Sequence, residues 1–284
     1  MALGASASWA FASFVTVGPL KVMSVIRFAL VRFFLVAIVF SALSFSLNGF
    51  VDLSGDRLNV LILSGVIGIG VGETLLYFAI KECGPQNGLF LFSLNIPTTF
   101  VAACVFGLRD LTFLTAIGAA SVTVGVLFGV RARASTQVTD ERVLTPLGVG
   151  AGIVAAIAQS IGLFLVKSGL EAGVSVIGVT AVRAMSATVF LGFVALLFER
   201  KPIGKWQNRQ TLKDILLSTA LSSGLGMFLA NTSLKYGSPT IAAACLSLSP
   251  MIISVINIVV LRQIPGVSLL LGSTMFIIGI FLLS

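Results

Sequence analysis

The amino-acid sequence of 284 residues lacks histidine altogether and contains only three cysteines, which lie far apart in the chain. Without histidine, the chain cannot build a Ser-His or Cys-His nucleophile or a histidine-ligated metal site. The cysteines show no CxxC spacing, so we interpret each of them as a small apolar packing residue. We therefore expect a protein without a metal or another cofactor and without enzyme activity.

Charged residues are also scarce, at 10% of the chain, whereas hydrophobic residues make up 57% and the mean hydropathy is +1.10. A soluble protein carries roughly 25% charged residues and needs them to cover its surface. The composition therefore predicts an integral membrane protein that crosses the bilayer several times. The net charge of +8 is better explained by basic cytoplasmic loops than by binding to nucleic acid. We expect the lipid bilayer, and no nucleic acid, as a partner.

The few charges divide the sequence into apolar runs, and each run is about long enough to cross a bilayer as a helix. One crossing takes about 20 residues, so ten crossings with short connections account for the whole chain. The sequence thus predicts an all-α integral membrane protein with ten transmembrane helices. The predicted segments are 1–18, 22–47, 58–80, 85–107, 111–130, 146–166, 174–198, 213–234, 238–261 and 266–283.

The two halves of the sequence resemble each other. A shift of 153 positions superposes Gly84 on Gly237, and it also superposes Pro97 on Pro250. Five helices in each half is an odd number, so the second half must enter the membrane inverted relative to the first. Inverted repeats with a binding site at the midplane between them are typical of secondary transporters. The predicted units are a first repeat at 1–130, a polar linker at 131–145 and a second, inverted repeat at 146–284.

On these features the sequence resembles the drug/metabolite transporter superfamily, and in particular its EamA-type branch. The resemblance covers essentially the whole chain, although Arg109-Asp110 and Arg262-Gln263 stand where the family usually shows a glutamate after the fourth helix. It implies a multi-pass carrier of small metabolites in the cell membrane, often of amino acids or their relatives and commonly an exporter. It also implies a cavity lined by helices 1, 3, 4, 6, 8 and 9. The residues that carry the resemblance are Arg27 and Arg183, Gly84 and Gly237, and Pro97 and Pro250.

Glu73 is the only acidic residue well inside a predicted span, and ionisable groups within a membrane are functional candidates by default. Helical spacing places Tyr77 on the same stripe, one turn further along. The carboxylate can bind a proton or a cationic group of the substrate. Alternatively, it forms a buried ion pair with Arg32 or Arg183 that only fixes the packing of the helices. These two arginines can equally meet a carboxylate of the substrate, and the sequence leaves the alternatives open.

Uncharged polar residues form stripes on several predicted helices. For a single residue such a position indicates hydrogen bonding between helices, whereas the whole set indicates a polar cavity. The residues that we assign to the substrate site on this ground are Trp9, Asn95, Gln159 and Asn257. Pro97 and Pro250 each remove a backbone hydrogen bond in the middle of a predicted helix and should kink it. Because the two prolines are equivalent in the repeats, we predict that they act as hinges.

Together these features predict a secondary transporter that moves a small polar metabolite, an amino acid or a related compound, by alternating access at a midplane site. Export and proton coupling agree with the sequence but do not follow from it. The alternatives are an uncoupled facilitator or channel and an integral membrane enzyme, for which the chain offers no acidic cluster or nucleophile motif. The oligomeric state does not follow from the sequence either.

The positions of Lys and Arg predict the orientation in the membrane. The odd-numbered loops of the ten-helix scheme hold 11 of these residues and the even-numbered loops hold 4. The positive-inside rule therefore places the odd-numbered loops in the cytoplasm and both termini outside. The family resemblance implies the opposite, with both termini inside. We follow the charge count, because residues 199–213 alone carry a dense basic cluster.

Overall fold

The computed structural model shows a helical protein, and the residues that it describes contain no β-strand. These residues are 1–51, 53, 55–105, 112–131, 144–170, 174–199, 208–237, 248–259 and 266–283. The described helices are α1 (Ala2–Val22), α2 (Val25–Ser46), α3 (Asp56–Cys83), α4 (Pro85–Val105), α5 (Phe113–Arg131), α6 (Pro146–Gly169), α7 (Val176–Phe198), α8 (Arg209–Tyr236), α9 (Ser249–Val259) and α10 (Val267–Leu283).

Of the described helices, the seven that are long and apolar enough to cross a membrane are α1 to α4 and α6 to α8. Helices α5 and α10 include shorter apolar segments, and α9 is described over 11 residues. Apart from α9, each helix begins and ends within four residues of a predicted segment. The all-α membrane fold is therefore confirmed, whereas the exact number of crossings stays a prediction.

Several helices begin at a polar residue that caps the first turn. Ser24, Thr145 and Ser175 each accept a hydrogen bond from a backbone N–H in the first turn of α2, α6 and α7. Asn208 does the same for α8. Such caps satisfy N–H groups that have no partner within the helix, so they define where the apolar runs start to coil.

Helices α3 and α8 both depart from α-helical hydrogen bonding near their middle. π-helical turns span Gly65–Glu73 in α3 and Thr219–Gly226 in α8. The two segments are related by almost the same shift that superposes Gly84 on Gly237. π-helical turns are rare and occur frequently at functional sites. Their equivalence therefore directs attention to the middle of these two helices.

Glycines set how closely the central helices approach one another. A Cβ atom built on Gly162 of α6 would lie 2.6 Å from the Cα atom of Gly68 on α3, so these helices touch backbone to backbone. Helices α5 and α10 pack along each other in the same way, with Gly118 against Gly279. Glycines of α3 thus permit the close approach of α6.

The distribution of polarity is that of a membrane protein. Large apolar side chains such as Val189, Leu196 and Phe281 lie on the outer surface. By contrast, the charged side chains of Arg32, Glu73 and Arg183 are buried. In a bilayer the outer surface faces hydrocarbon, so the polar groups collect between the helices.

Candidate functional site

A narrow cavity lies between helices α1, α3, α4, α8 and α9. The space open to the centre of a water molecule is about 30 Å³, which accommodates about two waters. Its wall is mostly carbon, with one carboxylate, one phenol, one indole and several hydroxyl groups as the polar exceptions. The residues that line it are Trp9, Ala12, Ser13, Thr16, Glu73, Leu76, Tyr77, Ile80, Leu89, Phe92, Ser93, Ser222, Ser249 and Pro250.

The carboxylate in this wall belongs to Glu73, the last residue of the π-helical turn of α3. Tyr77 lies one helical turn later and donates its hydroxyl to Glu73 Oε2 at 2.7 Å. Among the described residues, no basic nitrogen lies within 4.0 Å of this carboxylate. No described residue donates a hydrogen bond to its Oε1 atom either. Glu73 therefore keeps one acceptor oxygen for whatever enters the cavity.

Arg32 lies on α2 behind Tyr77 and is not part of the cavity wall. Its guanidinium carbon lies 4.7 Å from the ring centroid of Tyr77 and 4.9 Å from that of Phe28, at cation–π distance. Arg32 Nη2 donates to Ser218 O at 2.9 Å and to Ser222 Oγ at 2.7 Å. Arg32 thus ties α2 to the start and middle of the π-helical turn of α8.

Arg183 lies on α7 and is likewise outside the wall. Its Nη1 donates to Asn231 Oδ1 on α8, and Asn231 Nδ2 in turn donates to Thr180 Oγ1 at 3.0 Å. Both arginines act on Glu73 through their charge without contacting it. Within the described part of the chain, the direct ion pair that the sequence left open is therefore not formed. Arg32 instead donates hydrogen bonds to oxygens of α8, and Arg183 donates one to the side-chain amide oxygen of Asn231.

Helix α1 also contacts the π-helical turn of α8. Trp9 Nε1 donates to Ser222 O at 3.1 Å. The indole comes this close because Gly226 has no side chain; a Cβ atom there would lie 2.5 Å from Trp9 Nε1. Under the 153-residue shift, Gly226 is equivalent to Glu73. The second half thus presents an indole contact where the first half presents a carboxylate.

The structure brings only some of the sequence-predicted site residues together. Those in the wall are Trp9, Glu73 and Tyr77. Gln159 lies behind α3, next to Gly72, because α6 packs against the glycine face of α3. Asn95 is buried between α4 and α6, where Ser160 donates to its carbonyl at 3.0 Å. Helix α6 was expected to line the cavity, but none of its described residues does. The side chain of Asn257 lies outside the described residues.

Pro97 begins a helical segment rather than bending a continuous helix, and Pro250 lies in the first turn of the described part of α9. Helix α4 is interrupted by a turn at Ser93 and Leu94 and resumes at Asn95, so Pro97 lies in the first turn of its second part. Pro250 is the second residue of the described α9. Proline fits the first turn of a helix because the N–H group that it lacks has no partner there. Pro250 lines the cavity, whereas Pro97 faces an apolar crevice between α4 and α6.

Sequence reasoning missed the hydroxyl groups that α4, α8 and α9 contribute to the wall. They belong to Ser93, Ser222 and Ser249. For Ser222 a signal existed. The stretch Thr219–Gly226 is rich in small residues and is nearly equivalent, under the repeat shift, to the glycine-rich stretch that ends at Glu73.

Comparison with known proteins gives a family and a fold. The model of the EamA-like transporter family matches residues 1–131 and, separately, residues 146–284. No curated protein matches the chain. A crystal structure of a protein with 14% sequence identity is similar with a TM-score of 0.73, over 99% of this chain and 94% of that one. At this identity the likeness shows a shared fold.

Proposed function

Because the chain belongs to the EamA-like transporter family and is therefore a membrane transporter of small molecules, we propose that it is a secondary transporter working by alternating access. Its substrate is a small polar metabolite, and its binding site is the cavity around Glu73. The wall of this cavity combines residues of α1, α3 and α4 with residues of α8 and α9. That joint lining is the observation that carries the proposal, since carriers of this kind bind substrate between two repeats.

We propose residues 1–130 and 146–284 as the two inverted five-helix repeats, with residues 131–145 as the linker. The cavity lies between them and holds about two waters. A metabolite larger than that fits only when the halves move apart around the cavity. A site that must change shape to take its substrate favours a carrier over an open channel.

The residues of the site receive distinct roles in this proposal. Glu73 binds the polar group of the substrate or a coupled proton, and the hydrogen bond from Tyr77 fixes its orientation. Arg32 and Arg183 hold the helices around the cavity and set its electrostatic field without touching the substrate. Pro97 and Pro250 are the hinges about which α4 and α9 move. We also propose that the protein works in the plasma membrane.

The test uses purified protein in proteoliposomes and uptake of candidate solutes, with and without a pH gradient. Glu73→Gln keeps the shape of the side chain but removes its charge, so it should abolish uptake with little effect on expression or melting temperature. Glu82→Gln is the matched control, because it makes the same change on the same helix outside the cavity wall. Uptake by Glu73→Gln at the rate of the parent protein would contradict the proposed site.

A further inference from the structure

The hydrogen-bond donors of the cavity wall are almost all in use. Trp9 donates to Ser222 O, and Tyr77 donates to Glu73. Four of the five hydroxyl groups of serine and threonine in the wall donate to backbone carbonyls. The pairs are Ser13 with Ala10, Thr16 with Ala12, Ser93 with Leu89, and Ser249 with Ser6. Within the described residues, this leaves the hydroxyl hydrogen of Ser222 as the one donor of the wall without an acceptor.

Glu73 and two hydroxyl groups of the same wall have acceptor capacity left. A hydroxyl oxygen that donates its hydrogen, as those of Ser13 and Thr16 do, still has two lone pairs. Glu73 Oε1 receives no hydrogen bond from the described residues, and Oε2 receives one, from Tyr77. A ligand in this cavity therefore meets a carboxylate and these hydroxyl oxygens, and for the hydrogen bonds to them it must itself supply the hydrogen atoms.

Neither buried arginine lines the cavity, so Nε and Nη1 of Arg32 and Nε of Arg183, which have no acceptor among the described residues, are not donors of the wall. Arg32 is fully buried, and its guanidinium lies against the rings of Phe28 and Tyr77. Arg183 is held by Asn231, lies next to Gly68 of α3 and does not line the cavity. A substrate carboxylate would thus meet no cationic donor in the described wall, and burying it without a partner is costly.

The apolar part of the wall fits the body of an organic cation. The rings of Trp9, Tyr77 and Phe92 line the cavity together with aliphatic side chains such as Leu76 and Ile80. Aromatic faces attract a cation within about 6 Å of the ring centre. Carbon surface of this kind suits an apolar body better than a second charged group.

We propose that the site takes a protonated organic amine, a small monocation with an apolar body and no carboxylate, whose ammonium group binds Glu73. This rests on the proposed function and narrows it. Small polar metabolites that are zwitterions, such as free amino acids, bring a carboxylate that the wall does not pair. Amines of the same skeleton bring only the group that the wall accepts.

The test measures binding directly through Trp9. The chain contains only Trp9 and Trp206, so Trp206→Phe leaves the cavity indole as the sole tryptophan. Purified protein in detergent is titrated with two matched pairs, phenethylamine against phenylalanine and isopentylamine against leucine. The amines should change Trp9 fluorescence saturably and bind at least about tenfold more tightly than the amino acids, since burying the unpaired carboxylate of an amino acid costs at least that factor.

Variants assign the effect to the carboxylate. Glu73→Gln should lose the response to the amines, Glu73→Asp should retain part of it, and Glu82→Gln should behave like the parent. A melting temperature near that of the parent shows that each variant is folded, and Glu73→Asp provides the comparison if Glu73→Gln is not. Equal or tighter binding of the amino acids, or no saturable response to either amine, would overturn the inference.

These outcomes are separate from a failure of the proposed function. Amines that bind but are not taken up by proteoliposomes would contradict transport and support the binding inference. Uptake of amino acids that depends on Glu73, without binding of the amines, would support transport and overturn the inference.

Discussion

Arg32 illustrates how a single buried charge can organise the site without belonging to its wall. It is completely buried, and it lies between two aromatic rings while it donates to two oxygens of α8. Its planar guanidinium group stacks on the rings and donates hydrogen bonds at the same time, which the single ammonium group of a lysine does less well. The positions of Tyr77 and of the α8 turn thus depend on this side chain.

We expect Arg32→Lys to lower the free energy of unfolding by about 1.5–3 kcal/mol, because it loses the stacked plane and at least one charged hydrogen bond. Arg27→Lys on the same helix is the control. Arg27 is partly exposed and pairs with Glu199 at 3.0 Å, so its replacement should cost no more than about 1 kcal/mol. Thermal unfolding in detergent measures both, and an equal loss in the two variants would contradict this account of Arg32.

Gly226 is the second residue whose role is specific. Gly226→Ala should push the indole of Trp9 away from Ser222 O, because the added Cβ atom would lie 2.5 Å from Nε1. The displaced indole should change the cavity and slow transport several-fold. Gly224→Ala, on the same turn, places its Cβ atom at an ordinary 3.4 Å from Thr219 O and should transport like the parent. The measurement is uptake by each variant, with Trp9 fluorescence as a local report.

At the scale of helices, α3 of the first half packs closely against α6 of the second half. Gly162→Ala should destabilise the protein by about 1–3 kcal/mol, because its Cβ atom would lie 2.6 Å from the backbone of Gly68. Gly150→Ala lies on the same helix in open space and should be neutral or stabilising by up to about 1 kcal/mol. If the two variants melt at the same temperature, the close approach of these helices is not what stabilises the fold.

The two prolines make a different prediction. Replacing both Pro97 and Pro250 with alanine removes the clash that disfavours helical backbone at the residue before each proline, so the helix can extend and the chain there should become stiffer. We expect intact folding and insertion but slower exchange between the two open states, measured as slower uptake and counterflow in proteoliposomes. Pro19→Ala in α1 is the control. Uptake by the double variant at the parent rate would show that the prolines are not hinges.

The helices were largely predictable and their internal irregularities were not. Charged residues such as Arg57 and Lys81 lie near the two ends of α3. Gly84 ends the helix with a φ of +84°, which other residues rarely adopt. The π-helical turns were not predictable, because apolar composition is the same for α- and π-helical turns and the choice depends on packing. The contacts of Arg32 come from α8, 186 residues away. The placement of Gln159 behind α3 depends on how α6 packs, which periodicity does not specify.

For the whole molecule, we predict the orientation from the asymmetry of basic residues between the two sides. The test needs a background in which Cys83, Cys104 and Cys245 are alanine. Asn208→Cys, beside the basic cluster, should react with an impermeant thiol reagent only after the cells are permeabilised. Ser46→Cys, at the C-terminal end of α2 and on the predicted outer side, should react in intact cells. The reverse pattern would place the termini inside, as the family resemblance implies.

The central claim is that substrate occupies the cavity around Glu73 during transport, and protection of a cysteine in its wall tests this most directly. Ser13→Cys, in the same cysteine-free background, places a thiol in the wall on α1. We predict that a small thiosulfonate reagent modifies it and blocks transport, and that a solute transported by the parent slows this modification. The solute should not slow modification of Ser46→Cys, and it should no longer protect Ser13→Cys when Glu73→Gln is added. Modification of Ser13→Cys at the same rate with and without the transported solute would contradict the account.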